Sequence, residues 1–293
     1  MDQTGPHMIR AVMRRWRRWS LPALFVAPLI LFILAFLILP SLQLLLSAFS
    51  DGNGGLTLTY LASLRDSRTA FENSILLSAA SATVGTVIGG IAAYLVGGKN
   101  SPVRPYVTAF SAVAANFAGI PLAFAFIATL GSLGMITLWL REIGIDIYRL
   151  GFNLYGLPGL VLVYAYFQIP LMLIVISPAL EGLRKEWREA AEGLGATSGQ
   201  YWRMIGLPIL LPSLASAFVL LFGNAFSAYA TPYALTSGAL ALVPIEISNV
   251  LSGNVMLEPQ AGAALAIGMI SIMAIVMLIH ALASHRLKKW TGQ

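Results

Sequence analysis

Residues 188–208 read REAAEGLGATSGQYWRMIGLP, a charged and glycine-containing stretch between two long apolar segments. Charge is unusual in this chain, because 58% of its 293 residues are hydrophobic and only 10% are charged, whereas a soluble domain carries about 25% charged residues. The apolar residues occur in blocks of about 20, the length of a helix that crosses a bilayer. The sequence therefore predicts an all-α polytopic membrane protein in which residues 188–208 lie in a polar loop.

The apolar blocks set the predicted domain organisation. A short amphipathic piece around Trp139 lies between two blocks and is too short to cross, so we expect it to be re-entrant or interfacial. We divide the chain into a basic N-terminal segment (1–20), a membrane domain (21–284) with a polar loop at 181–208, and a tail (285–293). Six membrane spans are predicted, at 21–49, 73–96, 106–130, 157–180, 209–235 and 261–284.

The basic residues indicate the orientation. Residues 8–19 contain five arginines and two tryptophans, a pattern that favours an interfacial helix on anionic lipid or, equally, a positive flank that only sets the topology. With a cytoplasmic N-terminus and six spans, fourteen of the eighteen Lys and Arg residues fall on the cytoplasmic side. This bias predicts both termini and the loop 181–208 in the cytoplasm. The net charge of +6 thus belongs to helix flanks, and no nucleic-acid partner is expected.

Several classes of function are disfavoured. No predicted span has a charged residue near its middle, whereas proton relays and ion-coupled carriers usually do. The chain has no cysteine, which excludes thiolate metal sites and cysteine nucleophiles. Its three histidines, His7, His280 and His285, lie near the ends of the sequence without a carboxylate partner. Neither a catalytic site nor a metal site is predicted, and any energy for transport is expected to come from another subunit.

The charges in the loop are spaced for a helix over 181–194. Oppositely charged side chains four residues apart are neighbours on a helix surface and stabilise it. Three such pairs are present: Glu181 with Lys185, Lys185 with Glu189, and Arg188 with Glu192.

An elbow is predicted directly after this helix. Gly195 tolerates the positive φ that ends many helices. Thr197 and Gln200 have the spacing of a capping box, which opens a second helix. Ala190 and Ala191 are small residues among long charged ones, so a partner could approach the backbone there and dock. A solvated amphipathic linker is the alternative interpretation.

The spacing of the loop resembles a known signature. Glu189-Ala190-Ala191, three residues, Gly195, nine residues, Ile205, one residue and Leu207-Pro208 is similar to the EAA motif of permease subunits of binding-protein-dependent ABC importers, EAA-x3-G-x9-I-x-LP. The resemblance implies a type I ABC importer permease fold in the cytoplasmic membrane of a prokaryote. It also implies that the signature residues form the loop that couples the permease to an ATP-binding subunit.

The partners follow from the same resemblance. They are two ATP-binding subunits, a second permease that is identical or homologous, and an extracytoplasmic substrate-binding protein. The sequence contains no GxxxxGK[ST] phosphate loop, so we expect no cofactor on this chain and no enzymatic activity of its own. ATP and Mg²⁺ are expected on the partner ATPase.

Polar residues inside the apolar spans are candidates for a translocation path. Such residues serve equally well as interhelical hydrogen-bonding groups. We favour Asn224 and Gln168, because prolines in their spans free backbone carbonyls, which is tolerable only beside protein or water. The full set of candidates is Asn116, Tyr164, Gln168, Asn224, Ser227 and Tyr229.

The solute is predicted only by class. Residues 227–238, SAYATPYALTSG, and 243–247, VPIEI, resemble the polyamine, opine and phosphonate branch of the family. The outer segment 236–260 holds Glu246 and Glu258 and no basic residue, which suits a cationic solute or a basic face of the binding protein, although ordinary loop solvation is the alternative. A sugar-type permease and an ion-coupled secondary transporter are the other functions left open.

Overall fold

The computed structural model describes residues 26–51, 55, 57–97, 102–252 and 259–291, with side chains described as far as residue 284. The predicted interfacial helix at 8–19 and Glu258 lie outside the described residues. The architecture of the described part is all-α, as predicted. Its helices are α1 (Val26–Ala48), α2 (Thr59–Ala62), α3 (Arg68–Val96), α4 (Arg104–Asn116), α5 (Ile120–Leu130), α6 (Met135–Glu142), α7 (Leu157–Glu181), α8 (Lys185–Gly193), α9 (Ser198–Tyr201), α10 (Leu207–Phe226), α11 (Ala230–Thr236), α12 (Val243–Leu251) and α13 (Pro259–Thr291).

Within the described residues, six helical segments are long and apolar enough to cross a membrane, which confirms the predicted number of spans. The third differs in its bounds. The predicted helix 106–130 is broken at 117–119, and the segment with the length and hydropathy of a span runs from Ile120 through α6 to Glu142. Gly119 has a φ of 79°, a conformation that side-chain-bearing residues avoid. The piece around Trp139 is α6, which follows α5 after a turn at 131–134.

The predicted fifth span, 209–235, also differs. Helical structure begins earlier, at Ser198, and continues to Phe226. A break at 227–229 then separates α10 from α11. The two broken helices meet, because the Gly119 N–H donates to Thr231 Oγ1 at 2.8 Å. A position where helices are interrupted inside protein is where backbone groups need such partners.

Two π-helical segments, Leu34–Ile38 in α1 and Trp202–Gly206 before α10, have the same cause. Each is followed, after one further residue, by a proline, Pro40 or Pro208. Proline lacks an N–H and its ring collides with the carbonyl four residues earlier in a regular helix. In both segments the next N–H bonds to the carbonyl five residues back, so the helix widens without ending.

The tightest packing joins α3 to α7. A Cβ added at Gly89 would lie 2.6 Å from Met172 Cβ, and one at Gly85 would lie 2.9 Å from Gln168 Cβ. Only glycine permits this approach, which is how small residues bring membrane helices together. Small residues recur at every fourth position of this face of α3, at Ser81, Gly85, Gly89 and Ala93.

The N-terminal end of α3 is hydrogen-bonded to residues 241 and 243, at the start of α12. Asn73 Nδ2 donates to the carbonyl of Ala241 at 3.1 Å, and the Val243 N–H donates to Ser74 Oγ at 2.9 Å. At the opposite end, Arg104 at the start of α4 forms an ion pair with Glu181 at the end of α7. The helices α3, α4, α7 and α10 therefore form one packed unit that positions the loop between α7 and α10.

Candidate functional site

The loop between α7 and α10 contains two short helices, α8 and α9. The predicted helix 181–194 was wrong at its start: Glu181 ends α7, and a turn at 182–184 precedes α8. The predicted pair of Glu181 with Lys185 is not formed, because the Glu181 carboxylate forms an ion pair with Arg104. The other two predicted ion pairs are confirmed, Lys185–Glu189 and Arg188–Glu192, each at 2.9 Å.

These pairs are exposed, and their electrostatic effect is local. The hydrogen bond with Glu189 raises the pKa of Lys185, and the bond with Glu192 raises the pKa of Arg188. Both basic groups therefore stay charged through the neutral range. Exposed pairs of this kind contribute little to stability because solvent and salt screen them.

The end of α8 is a Schellman motif. Gly195 has a φ of 81°, as predicted. Its N–H donates to the Glu192 carbonyl at 2.9 Å, and the Ala196 N–H donates to the Ala191 carbonyl at 2.9 Å. These two bonds satisfy helix carbonyls that would otherwise lack partners and define the direction in which the chain leaves the helix.

The predicted capping box is also confirmed. The Gln200 N–H donates to Thr197 Oγ1 at 3.3 Å, and the Thr197 N–H donates to Gln200 Oε1 at 2.7 Å. The helix that it opens is α9, which continues through the π-helical segment into α10. Residues 185–206 thus form a helix, an elbow and a second helix, which we call the coupling unit after the role that the resemblance implies.

The two alanines of the coupling unit have different environments. Ala190 is exposed, but only 8% of Ala191 is accessible. The prediction that both alanines form a contact surface therefore needs a correction: adjacent residues on a helix point about 100° apart, and Ala191 faces the protein itself. Glu189 and Gly195 are exposed, so they remain available to a partner together with Ala190.

Leu194 is the residue that sequence reasoning missed. It is 89% exposed at the tip of the elbow, the largest exposure among the large apolar side chains described. A Cβ added to Gly193, Gly195 or Gly199 would meet no described atom within 4 Å. The available signal was a large apolar residue among charged residues and glycines, directly before Gly195.

The last three signature residues lie in the helical segment that follows the elbow and not in the elbow itself. Ile205 lies in the π-helical segment and is partly buried, while Leu207 and Pro208 begin α10 and are exposed. Gly206 between them is buried, and a Cβ there would lie 2.7 Å from Trp202 Cε3. Pro208 accounts for the π turn, as described above.

Three of the predicted path residues are exposed and lie near the two helix breaks in the sequence. Asn116, at the end of α4, donates to the Ala112 carbonyl at 2.8 Å. Ser227, just after α10, donates to the Gly223 carbonyl at 2.9 Å. These two residues and Asn224 are exposed in the single chain. Polar side chains at membrane depth are expected to face water or another protein subunit and not lipid.

The other three are placed elsewhere. Tyr164 and Gln168 are fully buried between helices, and Gln168 Nε2 donates to Ser81 Oγ of α3 at 3.1 Å. This bond supports the interhelical interpretation for Gln168. The Tyr164 hydroxyl and Gln168 Oε1 have no hydrogen-bond partner among the described residues. Tyr229 is partly buried, and its hydroxyl accepts from Ser248 Oγ at 2.9 Å.

Comparison with known proteins identifies the family. Residues 85–289 match the family described as the binding-protein-dependent transport system inner membrane component. The chain belongs to this family. It is therefore a multi-pass membrane protein and a permease subunit of an ABC importer, as the resemblance implied.

Individual relatives transport different solutes. This permease is 25% identical to the trehalose transport system permease protein SugB of Mycobacterium tuberculosis (strain CDC 1551 / Oshkosh) over 211 residues, which cover 72% of this chain and 70% of the relative. It is 22% identical over 268 residues to the spermidine/putrescine transport system permease protein PotC of Escherichia coli (strain K12), covering 89% and 94% of the two chains.

The fold is found in solved transporters. A chain of the bacterial alginate ABC transporter, solved in complex with an alginate pentasaccharide-bound periplasmic protein, superposes with a TM-score of 0.75 at 20% identity. The match covers 96% of this chain and 98% of that chain. At this identity the likeness shows the ABC importer permease fold alone.

Proposed function

We propose that the coupling unit docks this permease onto a separate ATP-binding subunit and transmits the closure of that subunit to the membrane helices. One observation carries the proposal: an 89% exposed leucine, Leu194, stands on an elbow whose backbone is held by a Schellman motif and a capping box. An exposed apolar side chain on a rigid support is how a protein presents an anchor to a partner's pocket. Because the elbow is already ordered, docking loses little conformational entropy.

The surface around Leu194 suits a close contact. Ala190 and the glycines 193, 195 and 199 present backbone that a partner can approach. Glu189 and Glu192 border this surface and pair with Lys185 and Arg188, so they form a polar rim of nearly balanced charge. An apolar centre with a polar rim is the usual arrangement of a protein interface.

The proposed assembly has two permeases, two ATP-binding subunits that hold ATP and Mg²⁺, and a substrate-binding protein outside. The second permease, identical or homologous, lies against the face that carries Asn116, Asn224 and Ser227, so that these polar groups line a path instead of meeting lipid. Both termini are cytoplasmic, on the same side as the coupling unit. ATP-driven closure moves the two coupling units together and shifts the population toward the outward-open state.

The test is reconstitution with and without the ATP-binding subunit encoded with this permease. We expect the two to copurify and solute uptake into liposomes to require ATP. Uptake by the permease alone, driven by a sodium or proton gradient, would instead establish a secondary carrier. Failure to copurify under conditions that keep the permease folded would remove the docking role from the coupling unit.

For the solute, we propose a small cation of the polyamine type. The match to the spermidine/putrescine permease extends over nearly the full length of both chains. Glu246 is partly buried in the first turn of α12, within an outer segment that has no basic residue. The alternative is a sugar, supported by the trehalose relative.

Calorimetry can separate these solutes. The binding protein of the same transport system is titrated with spermidine, a phosphonate and trehalose. Tight binding of spermidine supports the proposal, and binding of trehalose alone overturns it. Glu246→Gln should then reduce spermidine uptake several-fold while leaving copurification of the ATP-binding subunit unchanged.

A further inference from the structure

The helix α3 is not adjacent to the coupling unit in the sequence, in contrast to α7 and α10, which flank the unit. Its cytoplasmic end nevertheless contacts the unit. The ring of Tyr94, two residues before the end of α3, lies edge-on to Trp202 with centroids 4.8 Å apart and planes at 85°. Edge-to-face pairs at this distance are attractive and orientation-specific.

Trp202 is held firmly within the coupling unit. It lies in the π-helical segment and packs against Gly206, where an added Cβ would fall 2.7 Å from its ring. Its ring also contacts the ring of Tyr201, which is buried, with centroids 5.8 Å apart. A displacement of the elbow therefore carries Trp202 with it.

The other end of α3 is bonded to the outer segment. Asn73 and Ser74 hold the backbone at Ala241 and Val243 through hydrogen bonds of 3.1 and 2.9 Å. The helix has 29 residues, a length of roughly 43 Å, which is enough to cross the bilayer. Between its ends, α3 packs closely against α7 at Gly85 and Gly89.

We propose that Tyr94 is a positioning residue through which the coupling unit moves α3, and that α3 carries this displacement to the outer segment at Ala241–Val243. The inference rests on the proposed docking of an ATP-binding subunit. Movement of the coupling unit then displaces α3 in addition to α7 and α10, which are adjacent to the unit in the sequence. The single helix α3 links the cytoplasmic elbow to the outer segment.

The absence of cysteine from the sequence allows a direct test in the assembled transporter. Ala241→Cys is placed at the outer end, and its reaction with a membrane-impermeant maleimide is timed with and without ATP. ATP should change this rate several-fold. Adding Tyr94→Leu should reduce the ATP-dependent change to less than twofold, while Tyr94→Phe, which retains the ring, should keep most of it.

Two controls make the result specific. Tyr106→Leu removes an exposed aromatic residue near the same end of the neighbouring helix α4 and should leave the ATP response intact. Trp202→Leu removes the other ring of the pair and should reproduce the effect of Tyr94→Leu. ATP hydrolysis and copurification of the ATP-binding subunit should stay within about twofold of wild type in the Tyr94 variants, since docking is through the elbow.

The outcomes distinguish this inference from the proposed function. A wild-type protein that neither binds the ATP-binding subunit nor responds to ATP contradicts the docking proposal. A wild-type response that persists unchanged in both Tyr94→Leu and Trp202→Leu overturns only the role of Tyr94. If Tyr94→Leu fails to fold, Trp202→Leu decides the question, and if both unfold while Tyr94→Phe is normal, the ring pair is structural and the inference fails.

Discussion

Glycines in two regions of this permease serve opposite purposes. In α3, a Cβ at Gly89 would lie 2.7 Å from the Ile169 carbonyl oxygen and 2.6 Å from Met172 Cβ. In the coupling unit, a Cβ at Gly193, Gly195 or Gly199 would meet no described atom within 4 Å. The first region uses glycine to bring two helices of the same chain together. The second uses it to leave backbone open to another chain.

The difference separates folding from function. Packing glycines are expected to tolerate no side chain, since the neighbouring atoms are backbone and Cβ atoms that cannot rotate away. Glycines on the open elbow are expected to tolerate side chains as far as the fold is concerned, except where the backbone itself has a positive φ. Substitutions at matched pairs of glycines can test this division.

The largest effect is expected for Gly89→Ala. The added methyl group overlaps the Ile169 carbonyl and should cost about 1–3 kcal/mol of stability, seen as a lower melting temperature in detergent. Gly90→Ala is the matched control, because its nearest neighbour would lie 3.9 Å away. Alanine favours a helix over glycine by up to about 1 kcal/mol, so this control should be neutral or stabilising. Equal losses at both positions would contradict the packing role of Gly89.

Gly195→Val should come next and act on function. A β-branched residue is strained at a φ of 81°, and the left-handed conformation costs about 1–2 kcal/mol. We expect the elbow to lose the two hydrogen bonds of the Schellman motif and ATP-driven uptake to fall at least tenfold. The membrane fold should be retained, so the helix content measured by circular dichroism should equal that of the wild type. Gly199→Ala, in a helical position with open space, should transport normally. Normal transport by Gly195→Val would show that the elbow geometry is dispensable.

Leu194→Ser should leave stability unchanged, because the side chain is 89% exposed. The substitution should affect only the binding of the partner. We expect weaker copurification and a several-fold lower affinity for the ATP-binding subunit. Leu133→Ser is the control, since Leu133 is 79% exposed but lies outside the coupling unit. If both variants bind the ATP-binding subunit as wild type does, the anchor lies elsewhere on the loop.

The smallest effect is expected for Lys185→Met. The ion pair with Glu189 is fully solvated, so its loss should not shift the melting temperature measurably. The hydrogen bond with Glu189 raises the pKa of Lys185 above its usual value, so the contribution of the lysine to the pair is complete at neutral pH and is lost as the pH rises through that pKa. Stability should therefore be flat between pH 6 and pH 8 in both proteins. A clear difference in that range would mean that Lys185 has another partner in the assembly.

The parts of the loop that the sequence predicted well are local. Thr197 and Gln200 lie three residues apart, and Gly195 follows its helix directly, so each contact depends on a few neighbouring backbone angles. The same applies to the pair of Arg188 with Glu192. The start of α8 was mispredicted because Glu181 pairs with Arg104, which is far away in the sequence, and not with Lys185. Local spacing does not indicate which of two basic residues a carboxylate will pair with.

The path residues show the same limit. Gln168 and Asn224 looked equivalent as polar groups in apolar spans, yet Gln168 is buried against Ser81 and Asn224 is exposed. Helical periodicity cannot distinguish them, because in a membrane protein lipid-facing and protein-facing sides can be equally apolar. The breaks at 117–119 and 227–229 were also missed; at the first of them the Gly119 N–H has its partner far away in the sequence, at Thr231 Oγ1.

The sequence by itself determined the membrane class, the number of spans and the helix, elbow and helix of the coupling unit, because hydropathy and short-range hydrogen bonding act over consecutive residues. Only the tertiary structure decided which alanine faces outward, which glycines are packed against neighbours, and that Tyr94 meets Trp202. These features depend on pairs of residues far apart in the chain, and their proximity exists only once the helices have packed.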